Sequence, residues 1–244
     1  MKNNLSENKK KKPIIGIIKP DTKFQRILGD IGNPKTWKFP VTYHLMKEIY
    51  PDRIVNQKDS KKSIMAMAIR TARELEEVGV DAITTTCGFL AKYQKEISNN
   101  VSVPVFTSSL LQIPMIYQML NQEKKIAIIT ANSKTLTGEI LSCVGIRNIP
   151  LIVTGMENKE YFQKVFVSNQ LVNFNRDRIK NEIIETAIDL VNFHHDEIGA
   201  ILLECTNMSP YAYDVQETTS LPVFDICSLM NWVYSGLKKE IFTK

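Results

Sequence analysis

Two cysteines in this chain close apolar runs in the same way. Asp81-Ala82-Ile83-Thr84-Thr85-Thr86-Cys87-Gly88-Phe89 ends in hydroxyls, a thiol and a glycine, and Ala200-Ile201-Leu202-Leu203-Glu204-Cys205-Thr206-Asn207 repeats the arrangement. A lone cysteine at the end of a buried strand is usually a small hydrophobe. Placing Cys87 on Cys205, an offset of 118, alters that reading: Ala82 meets Ala200, Ile83 meets Ile201, and Pro104-Val105-Phe106 falls on Pro222-Val223-Phe224 without a gap. Two thiols at matched strand ends would look at one ligand from opposite sides. Inverting a centre next to a carboxylate requires a base on one face and an acid on the other, and two groups of one type exchange those roles when the direction reverses. A thiol, with an ordinary pKa of about 8.5, is brought toward neutrality by a helix start or by hydrogen bonds to its anion.

The neighbours of the two thiols complete such a site. Thr86, Gly88, Phe89, Thr206 and Asn207 would line the pocket between the thiols, and Thr107 and Ser108, at the end of the following strand, would add hydroxyl donors. Backbone N–H groups where the next helices begin, near Gly88 and Asn207, would hold a carboxylate and the enediolate charge that grows as a proton leaves. For the threonines, β-propensity and helix capping explain their presence equally well. Cys143 and Cys227 have no strand-end counterpart and read as structural. His44, His194 and His195 are scattered and form neither a metal set nor a triad. Gly16 sits inside the first strand while Gly29 and Gly32 come too late for a dinucleotide fingerprint, so neither NAD nor PLP is implied, and no cofactor is expected.

The elements that must hold these residues alternate strand and helix. Ile14-Ile15-Gly16-Ile17-Ile18 reads as a strand buried on both faces, followed by a long polar loop over 19–40. Residues 41–50 read as a short helix and Arg53-Ile54-Val55 as an edge strand. The spacing of Ile64, Met67, Ala68, Thr71, Leu75 and Val78 predicts a helix over 60–78 that Gly79 ends. Lys125-Ile126-Ala127-Ile128-Ile129-Thr130 starts the pattern again, with a strand expected over 149–153, helix over 163–174, and a clearer helix carrying Ile179, Ile183, Ala187, Leu190 and Val191. The sum is an α/β protein of two similar lobes, parallel sheets flanked by helices and related by a pseudo-two-fold axis, with the site in the cleft between them. The division expected is a basic tail over 1–12, a first lobe over 13–118 plus 210–244 that carries Cys87, and a second over 119–209 that carries Cys205.

Composition narrows the partners. The net charge of +5 is concentrated in residues 1–12, where Lys2, Lys9, Lys10, Lys11 and Lys12 against Glu7 give +4, so the remainder stands near +1. No basic face for a nucleic acid follows from that remainder. There is no apolar stretch of signal-peptide or membrane-spanning length, so a cytoplasmic protein without membrane partners is expected. Four cysteines without a C-x-x-C pair suggest reduced thiols.

On Thr86-Cys87-Gly88, Glu204-Cys205-Thr206-Asn207, Ile15-Gly16-Ile17-Ile18 and the two-lobed layout over 13–235, the chain resembles the cofactor-independent aspartate/glutamate racemase superfamily, which also holds hydantoin racemases, maleate isomerases and arylmalonate decarboxylases. The resemblance implies an isomerase: a racemase or epimerase of a small carboxylate such as aspartate, glutamate or a derivative, with Cys87 and Cys205 as the two acid/base catalysts. It also implies that the loop after the first strand reaches the substrate, through Asp30 and Asn33, and that the protein is a homodimer. Glutamate racemases commonly carry Asn-Thr after the first cysteine and Thr-His after the second. Gly88-Phe89 and Thr206-Asn207 depart from that pattern and argue against a strict glutamate racemase. The alternatives are a maleate-type cis-trans isomerase or related lyase of the same superfamily and, from another class, a catalytically silent small-ligand-binding protein.

Overall fold

The computed structural model describes residues 12–57 and 61–239; apart from Lys12, the expected basic tail lies outside them. Among the described residues, eight strands form two four-stranded parallel sheets. In the first, β1 (Ile15–Pro20) is flanked by β2 (Val41–Met46) and β3 (Ala82–Thr85), and β4 (Val105–Phe106) adds to β3. The second repeats this order with β5 (Lys125–Thr130) between β6 (Leu151–Gly155) and β7 (Ile198–Leu203), and β8 (Val223–Phe224) on β7. The registers match across the repeat: Ile83 pairs with Val105 in one sheet and Ile201 with Val223 in the other. The fold is therefore the two-lobed α/β architecture expected, with β1 and β5, the most continuously apolar runs, as inner strands.

Parallel strands need crossovers, and the helices supply them. The helix Lys61–Glu77 turns Ile64, Ala68, Thr71, Ala72 and Leu75 inward, all at most 1% exposed. It stops at Gly79, which takes a φ of +80° that β-carbon-bearing residues rarely adopt and whose N–H reaches Glu76 O. The helix Arg176–His194 does the same for the second sheet through Ile179, Ile183, Ala187 and Leu190.

Three expectations are corrected. Residues 41–46 are a strand and Pro51–Val55 a helix, the reverse of the sequence reading. Pro51 occupies the first helical turn, where its missing N–H costs nothing, and Tyr50 before it is extended. The helical stretch expected over 163–174 ends at Val167, where Ser168 and then Asn169, at a φ of +53°, turn the chain. Residues 210–224 stay with the second lobe, because β8 pairs with β7. The return to the first lobe comes afterwards, in the helix Ile226–Leu237. Asp225 and Ser228 cap it reciprocally, and Ile226, Leu229, Met230 and Val233 pack on Ile15, Ile17 and Ala82 of the first sheet.

Candidate active site

Cys87 and Cys205 each stand two residues past the C-terminal end of an inner strand, as the extended residue that caps a short 3₁₀ turn: Gly88–Tyr93 in one lobe, Thr206–Tyr211 in the other. In both, the backbone N–H two residues on, at Phe89 and Asn207, is directed to the sulfur. The equivalence found in the sequence is thus an equivalence of geometry. Thr85 holds the first turn, its Oγ1 accepting the Cys87 N–H at 3.2 Å. Asn207 Nδ2 approaches the Cys205 sulfur at 3.7 Å. The lobes are joined between the thiols: Thr206 Oγ1 donates to Thr86 O at 2.7 Å.

The cleft so formed is lined by Thr86, Cys87, Gly88, Phe89, Glu204, Cys205, Thr206 and Asn207, with Phe24 and Arg26 from the long loop and Phe166 and Val167 from the second lobe. Seven of the residues expected in the site are therefore brought together. The other four are not on its walls. Asp30, 2% exposed, stands behind Arg26. Asn33 Nδ2 donates to Arg26 O, and its Oδ1 accepts the Lys35 N–H. Thr107 Oγ1 donates to Gln94 Oε1 at 2.7 Å, and Ser108 caps the turn Ser109–Gln112. The Thr107 and Ser108 hydroxyls serve that lobe's own turns, the capping role that competed with ligand contact in the sequence.

Arg26 was not singled out in the sequence. Its Nη1 donates to both oxygens of Asp30 at 2.9 and 3.2 Å and to Asn207 Oδ1 at 3.0 Å. Nη2 reaches Thr22 Oγ1 at 3.2 Å and Thr86 Oγ1 at 3.5 Å, and the guanidinium lies 4.4 Å from the centre of the Phe24 ring. It is the cation of the cleft, and a loop of mixed polar residues gave no signal for it. Glu204 did carry one, being a carboxyl at the end of an otherwise apolar strand. It is fully buried; Thr130 Oγ1 donates to its Oε2 at 2.8 Å, and its Oε1 has no hydrogen-bond partner.

The electrostatics differ from the expected lowering of the thiol pKa. Burial, then the nearby Glu204 carboxyl, push Cys87 up to about 12, against the Phe89 N–H, Lys92 and Arg26, which favour its anion. Cys205 is also raised well above the ordinary thiol range, by burial, then Glu204, Cys87 and Asp30, against the Asn207 N–H. Burial also lifts Glu204 itself to about 7, against the hydrogen bonds from Thr130 and the Ala131 N–H. At neutral pH both thiols are thus held protonated. Desolvation outweighs the few donors that the turns offer, the Phe89 N–H to Cys87 and the Asn207 N–H and Nδ2 to Cys205. Among the described residues no group of three or more His, Cys, Asp or Glu side chains is placed to hold a metal ion, and no helix is long and apolar enough to cross a membrane.

A sequence model of the Asp/Glu/hydantoin racemase family matches residues 39–232. Among characterised proteins the chain is similar to a dimethylsulfoniopropionate lyase of Durusdinium sp. clade D, 30% identical over 219 residues that make up 86% of this chain and 70% of that protein. It is also similar to dimethylsulfoniopropionate lyase 3 of Emiliania huxleyi (strain CCMP1516), 29% identical over 233 residues, 92% of this chain and 60% of that one. The chain thus spans about two thirds of the length of these relatives. Among solved structures, the aspartate racemase of Picrophilus torridus superposes with a TM-score of 0.58 over 95% of this chain and 96% of that one at 17% identity, a likeness of fold.

Proposed function

The chain belongs to the Asp/Glu/hydantoin racemase family, a family of enzymes, and from that premise we propose that it is a lyase acting on a small carboxylate with a sulfonium group on its β-carbon, of the dimethylsulfoniopropionate type. In this reaction a thiolate takes the proton from the α-carbon, the C–H electron pair becomes the new C=C bond, and the C–S bond breaks with its pair leaving on sulfur. The products are neutral dimethyl sulfide, acrylate and one proton held by the cysteine. No acid is needed for the leaving group, because a sulfonium departs uncharged.

The observation that carries the reading is the charge balance around the thiols. Arg26 is already matched by Asp30, and burial with Glu204 holds both sulfurs neutral. A purely anionic ligand would make ionisation harder still. A ligand that brings its own fixed cation makes it easier, since opposite charges interact strongly in a low-dielectric cleft. The walls suit such a group: Phe24 and Phe166, edge to face at 4.9 Å, and Phe89 present aromatic surface to a soft, poorly hydrated cation. Arg26 and the Thr86 hydroxyl would take the carboxylate at the other end. The names of the relatives point the same way.

A second reading, racemisation of an amino acid by two-base proton transfer, is favoured by one feature: the thiols come from opposite lobes at equivalent positions. One experiment separates the two. The protein is incubated with dimethylsulfoniopropionate while headspace dimethyl sulfide and dissolved acrylate are measured, and in parallel with L- and D-aspartate and glutamate in D2O. Dimethyl sulfide and acrylate in equal amounts are expected. Their absence, together with deuterium at the amino-acid α-carbon, would replace the lyase with the racemase.

A further inference from the structure

Neither reaction above uses Glu204, yet no side chain is better placed to govern both thiols. It precedes Cys205 in the chain, and it lies against the residue that follows Cys87: a β-carbon built on Gly88 would collide with the Glu204 carboxylate Oε1 and with its backbone carbonyl. Glycine is required at position 88 by this close approach between the lobes, and the approach places the carboxyl between the two cysteine turns. Its Oε2 is held by Thr130 Oγ1 from the end of β5, while Oε1 is buried and unpartnered. A carboxylate with an empty oxygen in such surroundings is costly; a carboxylic acid is tolerated.

We propose that Glu204 is a positioning residue that carries a proton in the working enzyme, and that losing this proton prevents either thiol from ionising. The titratable and charged groups facing this cluster are Cys87 and Lys92 from the first turn, Cys205 from the second, and Arg26 and Asp30 from the long loop; Thr130 Oγ1 and the Ala131 N–H face it from β5. Arg26 is matched by Asp30, so Glu204 is the acid whose charge both sulfurs feel. The inference rests on the thiols acting as bases, as in the reaction proposed above, and deepens it. Its consequence is a thiolate population that stops growing once Glu204 ionises. Below that point each pH unit gives ten times more thiolate; above it the thiolate with protonated Glu204 exchanges with the thiol and ionised Glu204 at a ratio that no longer depends on pH.

The test needs no substrate. Iodoacetamide alkylation of each cysteine is followed by peptide mass mapping from pH 6 to 10 in the wild-type chain and in Glu204→Gln, which keeps an acceptor for Thr130 but cannot ionise. In the wild type the rates at Cys87 and Cys205 should rise and then level off near neutral pH. In Glu204→Gln they should keep rising, at least tenfold faster than wild type by pH 9, while Cys143 and Cys227 react as before. Equal profiles, slower reaction at Cys87 and Cys205, or a uniform change at all four cysteines would overturn the proposal, the last being what a purely structural role gives. Thr130→Val provides a second arm if Glu204→Gln fails to fold. Loss of the hydroxyl donor raises the Glu204 pKa, so the levelling should move to higher pH, and an unmoved break counts against the proposal. If alkylation behaves as stated but no dimethyl sulfide is produced, the assigned substrate fails and the role of Glu204 stands.

Discussion

Arg26 and Asp30 offer the sharpest energetic test of the cleft. Their side chains are 10% and 3% exposed, and one guanidinium nitrogen is shared between both carboxylate oxygens. Arg26→Met keeps most of the apolar stem and removes the charge, leaving Asp30 buried with one remaining donor, the Gly32 N–H at 2.7 Å. Stranding one member of a buried ion pair costs about 3–5 kcal/mol. For a chain of this size each kcal/mol lowers Tm by about 2–4 °C, so the variant should melt roughly 6–20 °C below wild type. Asp30→Asn strands the guanidinium and should cost a similar amount. The double variant Arg26→Met/Asp30→Asn has no stranded charge and should cost about 2–3 kcal/mol less than the sum of the singles. Thermal unfolding of the four proteins by circular dichroism closes the cycle. Additivity to within about 0.5 kcal/mol would mean that the two groups do not share a desolvated site, and the account of the cleft electrostatics would fail with it.

Of Cys87→Ser and Cys205→Ser, which preserve shape but not thiol acidity, the variant that removes the base should lower dimethyl sulfide release by about 10²-fold or more with unchanged circular dichroism, and the other, since the leaving group needs no acid, by much less, read by headspace gas chromatography. Thr206→Val removes the hydroxyl donor to Thr86 O and leaves that carbonyl unpaired between the lobes; a urea midpoint shift corresponding to about 1–3 kcal/mol is expected. Glu204 should also tilt stability against pH. Its folded pKa, about 7, lies above the ordinary carboxyl value of 4.5, so the folded state binds the extra proton between those values and stability falls as pH rises through that window. The loss is about 3 kcal/mol between pH 4.5 and 7 and is absent from Glu204→Gln, as urea unfolding at pH 5 and pH 8 would show.

The strand-end thiols, their turns and the twofold order of elements were legible because burial on both faces forces continuous apolar runs, and an exact chain offset survives in the matched β3–β4 and β7–β8 registers. What the sequence concealed has local causes. Val41–Met46 pairs on one side only, so its mixed pattern resembles a short helix. Arg26 became visible only when the loop folded over to bring it to Thr86 and Asn207. The loop is tied down across the lobes by Asn169, whose Oδ1 accepts the Lys23 N–H and whose Nδ2 donates to Asp21 O. Long-range contacts of this kind leave no periodicity. Thr107 and Ser108 were misplaced for the opposite reason: their hydroxyls are satisfied within a few residues or by a neighbouring turn.

The offset that superposes the two halves also shows where they part company. It sets Thr86 against Glu204, Gly88 against Thr206 and Phe89 against Asn207 while keeping the thiols in register. A catalyst for inversion joins two states of equal free energy and, by microscopic reversibility, must serve both directions through mirror-related faces. A downhill elimination has no such parity to respect. One half is then free to replace a hydroxyl by an ionisable acid, and the other to give up a side chain at Gly88 to make room for it. The duplicated frame brings two thiols to one cleft, and the unequal neighbours of its two sulfurs make them distinguishable.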